Sequence, residues 1–185
     1  MNIPASGDYD RLFEHAVAVV LAHEGGLVDD PADPGGVTNF GISFRFVDAL
    51  DEDIDSDGDV DAADVRDMTR DQAKALYRRE FWDRYGYGKF HLTVATKVFD
   101  LAVNMGPRQA HKCLQRACRA AKATETPLDD DGVLGPKTRQ AIMQAGDMRL
   151  LIALRSEAAG FYRALAIRDP VRERFLAGWL NRAYD

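Results

Sequence analysis

The sequence predicts a mainly α protein, α+β in class, with a small irregular or β lobe near the N-terminus and a helical body. Three observations predict it. Apolar residues recur at helical spacing along most of the chain, capping signals punctuate those runs, and residues 27–41 gather two Pro, three Gly and three Asp in a stretch that cannot be regular. At 185 residues the chain is long enough for one domain with a substantial core.

The elements follow in order. Asp10 can cap a helix over residues 11–24, with Leu12, Phe13, Ala16, Val17, Val20 and Leu21 on one face. Gly25-Gly26 end it, because glycine takes the left-handed conformation of a helix terminus at little cost. Residues 27–41 read as an ordered loop or short hairpin, with 37–43 the best strand candidate, followed by a short helix at 43–51. Thr69-Arg-Asp-Gln72 is a capping box that opens a helix to about Tyr85, turning Ala73, Leu76, Tyr77 and Phe81 inward. A buried helix covers 93–105, Gly106-Pro107 breaks the chain and starts another, and residues 123–135 form a loop before a helix from Pro136. Helices at 147–167 and 170–183 close the chain.

Charge is unevenly distributed. The net charge is −6, yet residues 48–67 alone carry ten Asp and Glu against one Arg, so the rest of the chain is mildly basic at +3. No basic stripe interleaved with aromatics suggests nucleic-acid recognition. No apolar run is long enough for membrane insertion, and Ala16–Ala22 is too short for a signal-peptide core. The expectation is synthesis in the bacterial cytoplasm without a signal peptide. Cys113 and Cys118 are five residues apart in a helix and point away from each other, which predicts two buried or half-buried free thiols rather than a disulfide. A zinc site with His111 would lack a fourth ligand.

Glu24 stands where the first helix ends, before Gly25-Gly26. Helix carbonyls point outward there and the macrodipole is negative, which disfavours a carboxylate. Val20, Leu21 and Leu27 nearby add desolvation, so the expectation is a carboxyl that keeps its proton. A protonated carboxylic acid beside an ionised carboxylate is the pair that cleaves glycosidic bonds. Asp29, Asp30 and Asp33, on a turn rich in backbone donors, supply candidates for the second group. Ordinary turn chemistry accounts for the same residues equally well. The metalloprotease reading of His23-Glu24 fails, since position 27 is Leu rather than His.

The segment HEGGLVDDPADPGGVTNFGIS resembles the active-site region of the glycoside hydrolase family 108 lysozymes, the N-acetylmuramidases found among phage endolysins. FDLAVNMGPRQAHKCLQRA and DDDGVLGPKTRQAI resemble the C-terminal peptidoglycan-binding region of the same proteins. The resemblance implies a lysozyme-like α+β fold, with residues 1–92 the catalytic part and 93–185 a helical peptidoglycan-binding part in the same globular unit. It also implies a muramidase cutting the β-1,4 bond between N-acetylmuramic acid and N-acetylglucosamine, with Glu24 as the catalytic acid. Related phage enzymes carry an Asp nine and a Thr fifteen residues after the Glu; Asp33 fits the first interval, Thr38 falls one residue short of the second, and Asp30 remains a rival to Asp33. The implied partners are peptidoglycan glycan strands and a holin whose membrane lesion releases a monomeric enzyme to the wall. A lytic transglycosylase and a calcium-dependent wall-binding adaptor without catalysis are the alternatives.

DIDSDGDVDAAD, residues 53–64, matches an EF-hand calcium loop almost position by position. Asp53, Asp55 and Asp57 take positions 1, 3 and 5, Gly58 the sharp turn, Asp59 the carbonyl at 7, Asp61 position 9 and Asp64 position 12. Asp rather than Glu at the last position resembles dockerin loops. The expected cofactor is one structural calcium, with none needed for the chemistry. Trp82 and Tyr85 are candidates for stacking on sugar rings, although a helical Trp more often belongs to the core. The stretch from Asp131 to Thr138 is either a helix-entry turn or a wall contact.

Overall fold

The computed structural model describes residues 6–29, 36–123 and 128–185. The mostly helical architecture with a small two-stranded sheet agrees with a lysozyme-like α+β fold. Helix α1 runs Ser6–His23, so it begins before the expected cap. Asp8 places the acidic charge in the first turn, while Asp10 is drawn into a tertiary ion pair with Arg78 at 2.6 Å. Strands β1 (Thr38–Asn39) and β2 (Ile42–Ser43) pair antiparallel, Thr38 opposite Ser43 and Asn39 opposite Ile42. That register leaves Phe40-Gly41 as a two-residue turn with φ of 51° and 78°, the positive pair that matches the twist of a tight hairpin.

Ser43 caps α2 (Phe44–Leu50), accepting from the Phe46 N–H, and Asp51 closes it in the left-handed conformation. The acidic loop then leads into α3 (Ala62–Arg66). The Thr69–Gln72 capping box is formed as expected and opens α4 (Arg70–Tyr77); beyond it the helix widens to π geometry over Arg78–Asp83. The chain continues through α5 (Leu92–Met105), α6 (Pro107–Ala120), α7 (Pro136–Gln144) and α8 (Asp147–Arg168). The last expected helix is split: Pro170–Phe175 is 3-10, since Arg172 bonds the Asp169 carbonyl three residues back, and only Leu176–Tyr184 is α-helical, as α9.

Helix α5 is the axis of the core and packs on α1, α6 and α8. Its Phe99 meets the rings of Phe13, Tyr77, Phe81, Trp82 and Tyr87 at centroid distances of 5.6–6.4 Å. Trp82 is fully buried in that cluster, so it is core and cannot stack on a sugar. Cys113 and Cys118 are buried and free, and burial pushes the Cys118 thiol up to about 12.

Candidate active site

Glu24 is the first residue beyond α1, still bonded through its N–H to the Val20 carbonyl at 3.0 Å. The chain turns back after Gly25-Gly26, and Val28 pairs antiparallel with Thr38, which sets the hairpin across the end of the helix. The turn then lands on the carboxyl: a Cβ added to Gly41 would lie 2.5 Å from Glu24 Oε2. Only glycine permits this approach, and its positive φ suits it as well.

Two side chains hold the turn in place. The Tyr77 hydroxyl donates to the Phe40 carbonyl at 2.8 Å. The buried Asn39 amide donates to the carbonyls of Val65, Arg66 and Met68, tying the hairpin to the end of α3 and hence to the acidic loop. Neither role was evident from sequence, though Asn inside a strand-like segment is a signal that its amide has a specific partner.

The other side of Glu24 differs from expectation. Leu27 is exposed rather than packed on the carboxyl, and the neighbour is a cation: Arg182 of α9 places Nη2 2.8 Å from Glu24 Oε1. Oε1 is sealed from water and meets the guanidinium without hydrogen-bond alignment. The same guanidinium pairs with the buried Asp100 at 2.9 Å through Nη2, and its Nε donates to Asp100 Oδ1 at 3.0 Å. Burial works against the charge on Arg182, but Asp100 and Glu24 outweigh it and raise its pKa. His23 joins the array through Nδ1 to Asp100 at 3.0 Å and Nε2 to Asp185 at 3.2 Å, and Lys97 donates to the Arg182 carbonyl at 2.8 Å. Sequence reasoning missed Arg182 because it lies far along the chain from Glu24. Asp100, an aspartate inside the apolar run VFDLAV, was the available clue.

The remaining candidates are placed as follows. Asp30 and Asp33 lie outside the described residues. Asp29 pairs with Arg66 at 2.9 Å on the surface. Thr38 sits in β1 with its hydroxyl toward the Gly36 carbonyl at 3.4 Å, and no hydrogen bond joins it to Glu24 among the described residues. The site can therefore present one carboxyl, gripped between a glycine turn and an arginine, to a ligand lying over the end of α1.

The acidic loop brings together three of its aspartates: carboxylate oxygens of Asp53, Asp55 and Asp57 lie within 4.8 Å of one another. Each accepts N–H bonds from the loop backbone, Asp53 from Ser56 and Gly58, Asp55 from Asp57, and Asp57 from Asp59. That wrapping suits a hard cation with oxygen ligands. Asp61 and Asp64 are turned to capping instead: Asp61 accepts from Ala63, and the buried Asp64 accepts from Ile54, Asp55 and Asp61. Burial opposes the Asp64 carboxylate, yet these three N–H groups win and hold it below the usual range. The Asp59 carboxyl is pushed up by Asp57 and Asp61.

His111 is no metal ligand. Its Nδ1 faces the Gly132 carbonyl at 3.0 Å and so carries the proton, and its Nε2 accepts from the Tyr87 hydroxyl at 2.7 Å. Around it the Asp131–Thr138 stretch is bonded inward: Gln115 takes the Gly132 N–H and donates to Asp131, Val133 and Thr138. Tyr85 packs beside Tyr87 and edge-on to His111.

Comparison with known proteins gives two family matches and a similar solved structure. Residues 17–106 match the family model described as Glycosyl hydrolase 108, and residues 109–184 match the one described as Predicted Peptidoglycan domain. The structure is similar to that of Brucella abortus SagA, with a TM-score of 0.74 and 28% identity over 94% of this chain and 90% of that one. The search of curated proteins gives no match. The Arg182–Glu24 ion pair crosses from one matched segment to the other.

Proposed function

We propose that this chain, which joins a glycosyl hydrolase 108 domain to a peptidoglycan domain and is thereby a peptidoglycan hydrolase, is an N-acetylmuramidase that uses Glu24 as its acid. The observation that carries the reading is the placement of Glu24 just beyond α1 with the Gly41 turn closed against its Oε2. Glu24 gives its proton to the glycosidic oxygen as the C–O bond of N-acetylmuramic acid breaks, and water adds to the oxocarbenium-like centre. Asp33 or Asp30 takes the proton of that water, with Thr38 orienting it. Glu24→Gln removes the acidic proton while keeping the shape, so lysis of purified wall falls by about 10²–10⁴-fold with the far-ultraviolet spectrum unchanged. An unchanged rate would sink the assignment. Gly41→Ala, whose Cβ would sit against Glu24, is expected to cost nearly as much activity. Mass spectrometry of the fragments distinguishes added water from an anhydro product.

The proposal extends to one structural calcium held by Asp53, Asp55 and Asp57 with the Asp59 carbonyl, the fit resting on the clustered carboxylates. It would fix the loop that Asn39 ties to the hairpin over Glu24. Among the described residues no helix is long and apolar enough to cross a membrane. A lesion made by a holin-like partner is the proposed route from the cytoplasm to the wall.

A further inference from the structure

Arg182 reaches Glu24 from the other matched segment, and its effect there depends on where its N–H groups point. The directed bonds go to Asp100: Nε donates to Oδ1 at 3.0 Å and Nη2 to the backbone carbonyl at 3.2 Å. Glu24 Oε1 lies 2.8 Å from the same Nη2 and receives no aligned bond from it. On the reading of Glu24 as the acid, we propose that Asp100 and Arg182 are the positioning residues of its reaction. Asp100 anchors the guanidinium, and the guanidinium steadies the Glu24 carboxyl as a charge set alongside it. The segment that matches a peptidoglycan domain thereby serves the chemistry as well.

The arrangement divides one positive charge between two carboxyls. Nη2 of Arg182 stands 2.9 Å from Asp100 Oδ1 and 2.8 Å from Glu24 Oε1. Asp100 is fully buried and Arg182 is 7% exposed, so little water screens either contact. A guanidinium that belonged to Glu24 alone would favour the carboxylate and oppose the protonated form that an acid needs. Asp100 is the counterweight. Its charge offsets the cation, and its two bonds to a planar fork fix which edge of the guanidinium turns toward Glu24.

The anchor is itself secured from three helices. His23, the last residue of α1, places Nδ1 3.0 Å from Asp100 Oδ1. Lys97, one turn before Asp100 in α5, places Nζ 3.5 Å from Oδ2 and donates to the Arg182 carbonyl in α9 at 2.8 Å. Two phenols also feel Glu24, Tyr77 of α4 and Tyr162 of α8; both are raised, chiefly by burial, and stay neutral. Asp185 is engaged by the far side of the His23 ring. Among the described residues, Arg182 is thus the cation in contact with Glu24, and Asp100 the anion that shares it.

The test uses the full chain, purified wall and the variants Arg182→Gln, Arg182→Lys and Asp100→Asn. Arg182→Gln is expected to slow lysis about tenfold and to move the alkaline limb of the pH–rate profile up by about one unit. Added to Glu24→Gln, it should leave sedimentation with wall unchanged. Asp100→Asn is expected to move the same limb down. Loosened packing alone would slow lysis without shifts of opposite sign. Arg182→Lys keeps the charge but not the fork, so the limb should hold while lysis slows. That variant carries the test should Asp100→Asn fail to fold: a limb displaced as far as in Arg182→Gln overturns the proposal. Carbon-13 titration of the Glu24 carboxyl reads the same shifts without any need of activity. Identical titrations in parent and Arg182→Gln overturn the positioning role whatever either does to wall, and so does lost sedimentation. Opposite shifts in a protein that releases no wall fragments uphold it and sink the hydrolase reading instead.

Discussion

Two stretches of the chain crowd aspartates around a glycine, and they relieve the repulsion in opposite ways. In the turn at 129–132, Asp130 lies 2.6 Å from Arg116 and 3.5 Å from Arg119, and Asp131 takes the Gln115 amide at 2.8 Å. In the loop at 53–64, Asp53, Asp55 and Asp57 accept only backbone N–H groups of their own loop, and none of the six aspartates pairs with Lys or Arg among the described residues. One turn borrows its positive charge from α6; the other has no Lys or Arg partner among the described residues. Similar composition therefore gives a finished structural joint in one place and, in the other, the cluster proposed above to hold a cation.

The largest test of the contrast concerns the neutral groups behind the first turn. Burial lowers the His111 imidazole from 6.5 to about 4, so between those values the unfolded chain binds a proton that the folded one refuses. The stability His111 contributes is complete above pH 6.5 and drains away as pH falls to 4, by about 3 kcal/mol. Urea unfolding at pH 7.5 and near pH 4 should show that loss, and His111→Gln should flatten it. Next comes calcium. At a hundredfold excess over its dissociation constant it should stabilise the protein by about 2.7 kcal/mol, and Asp53→Asn or Asp57→Asn should abolish the gain. No change in melting between calcium and excess chelator would break the comparison outright.

The smallest effect is the most local. Without calcium, the carboxyls of Asp55 and Asp59 should titrate above ordinary aspartate, Asp55 through desolvation and its neighbours, Asp59 through Asp57 and Asp61. Asp130 and Asp131 should titrate below it, held by Arg116 and by Gln115. Their depressed values mean stability that is present above the unfolded pKa and lost as pH falls through the folded one. Carbon-13 titration of the aspartate carboxyls by NMR reads both signs in one experiment.

The same contrast separates what the sequence revealed from what it hid. The gathering of Asp53, Asp55 and Asp57 was legible because these residues and the turn glycine lie within a few positions of one another; so were the Thr69–Gln72 box and the Gly106-Pro107 break, both local signals. Glu24 was legible as a residue at a helix end. Its surroundings were not, because Arg182, Asp100 and Asn39 reach it or its hairpin through tertiary contacts that leave no spacing to read. The start of α1 was misplaced for a related reason: Asp10 looked like a cap and is spent on Arg78. Trp82 looked like a sugar platform and is core, because its neighbours Phe13 and Phe99 come from distant parts of the chain.

The reach of α9 to the end of α1 also imposes an order of events. Until that last helix has docked, Glu24 lacks its Arg182 neighbour, and Asp100 has only Lys97 and His23 beside it. A chain clipped ahead of residue 182 therefore lacks the guanidinium that meets Glu24 and Asp100, whatever else of the fold it forms.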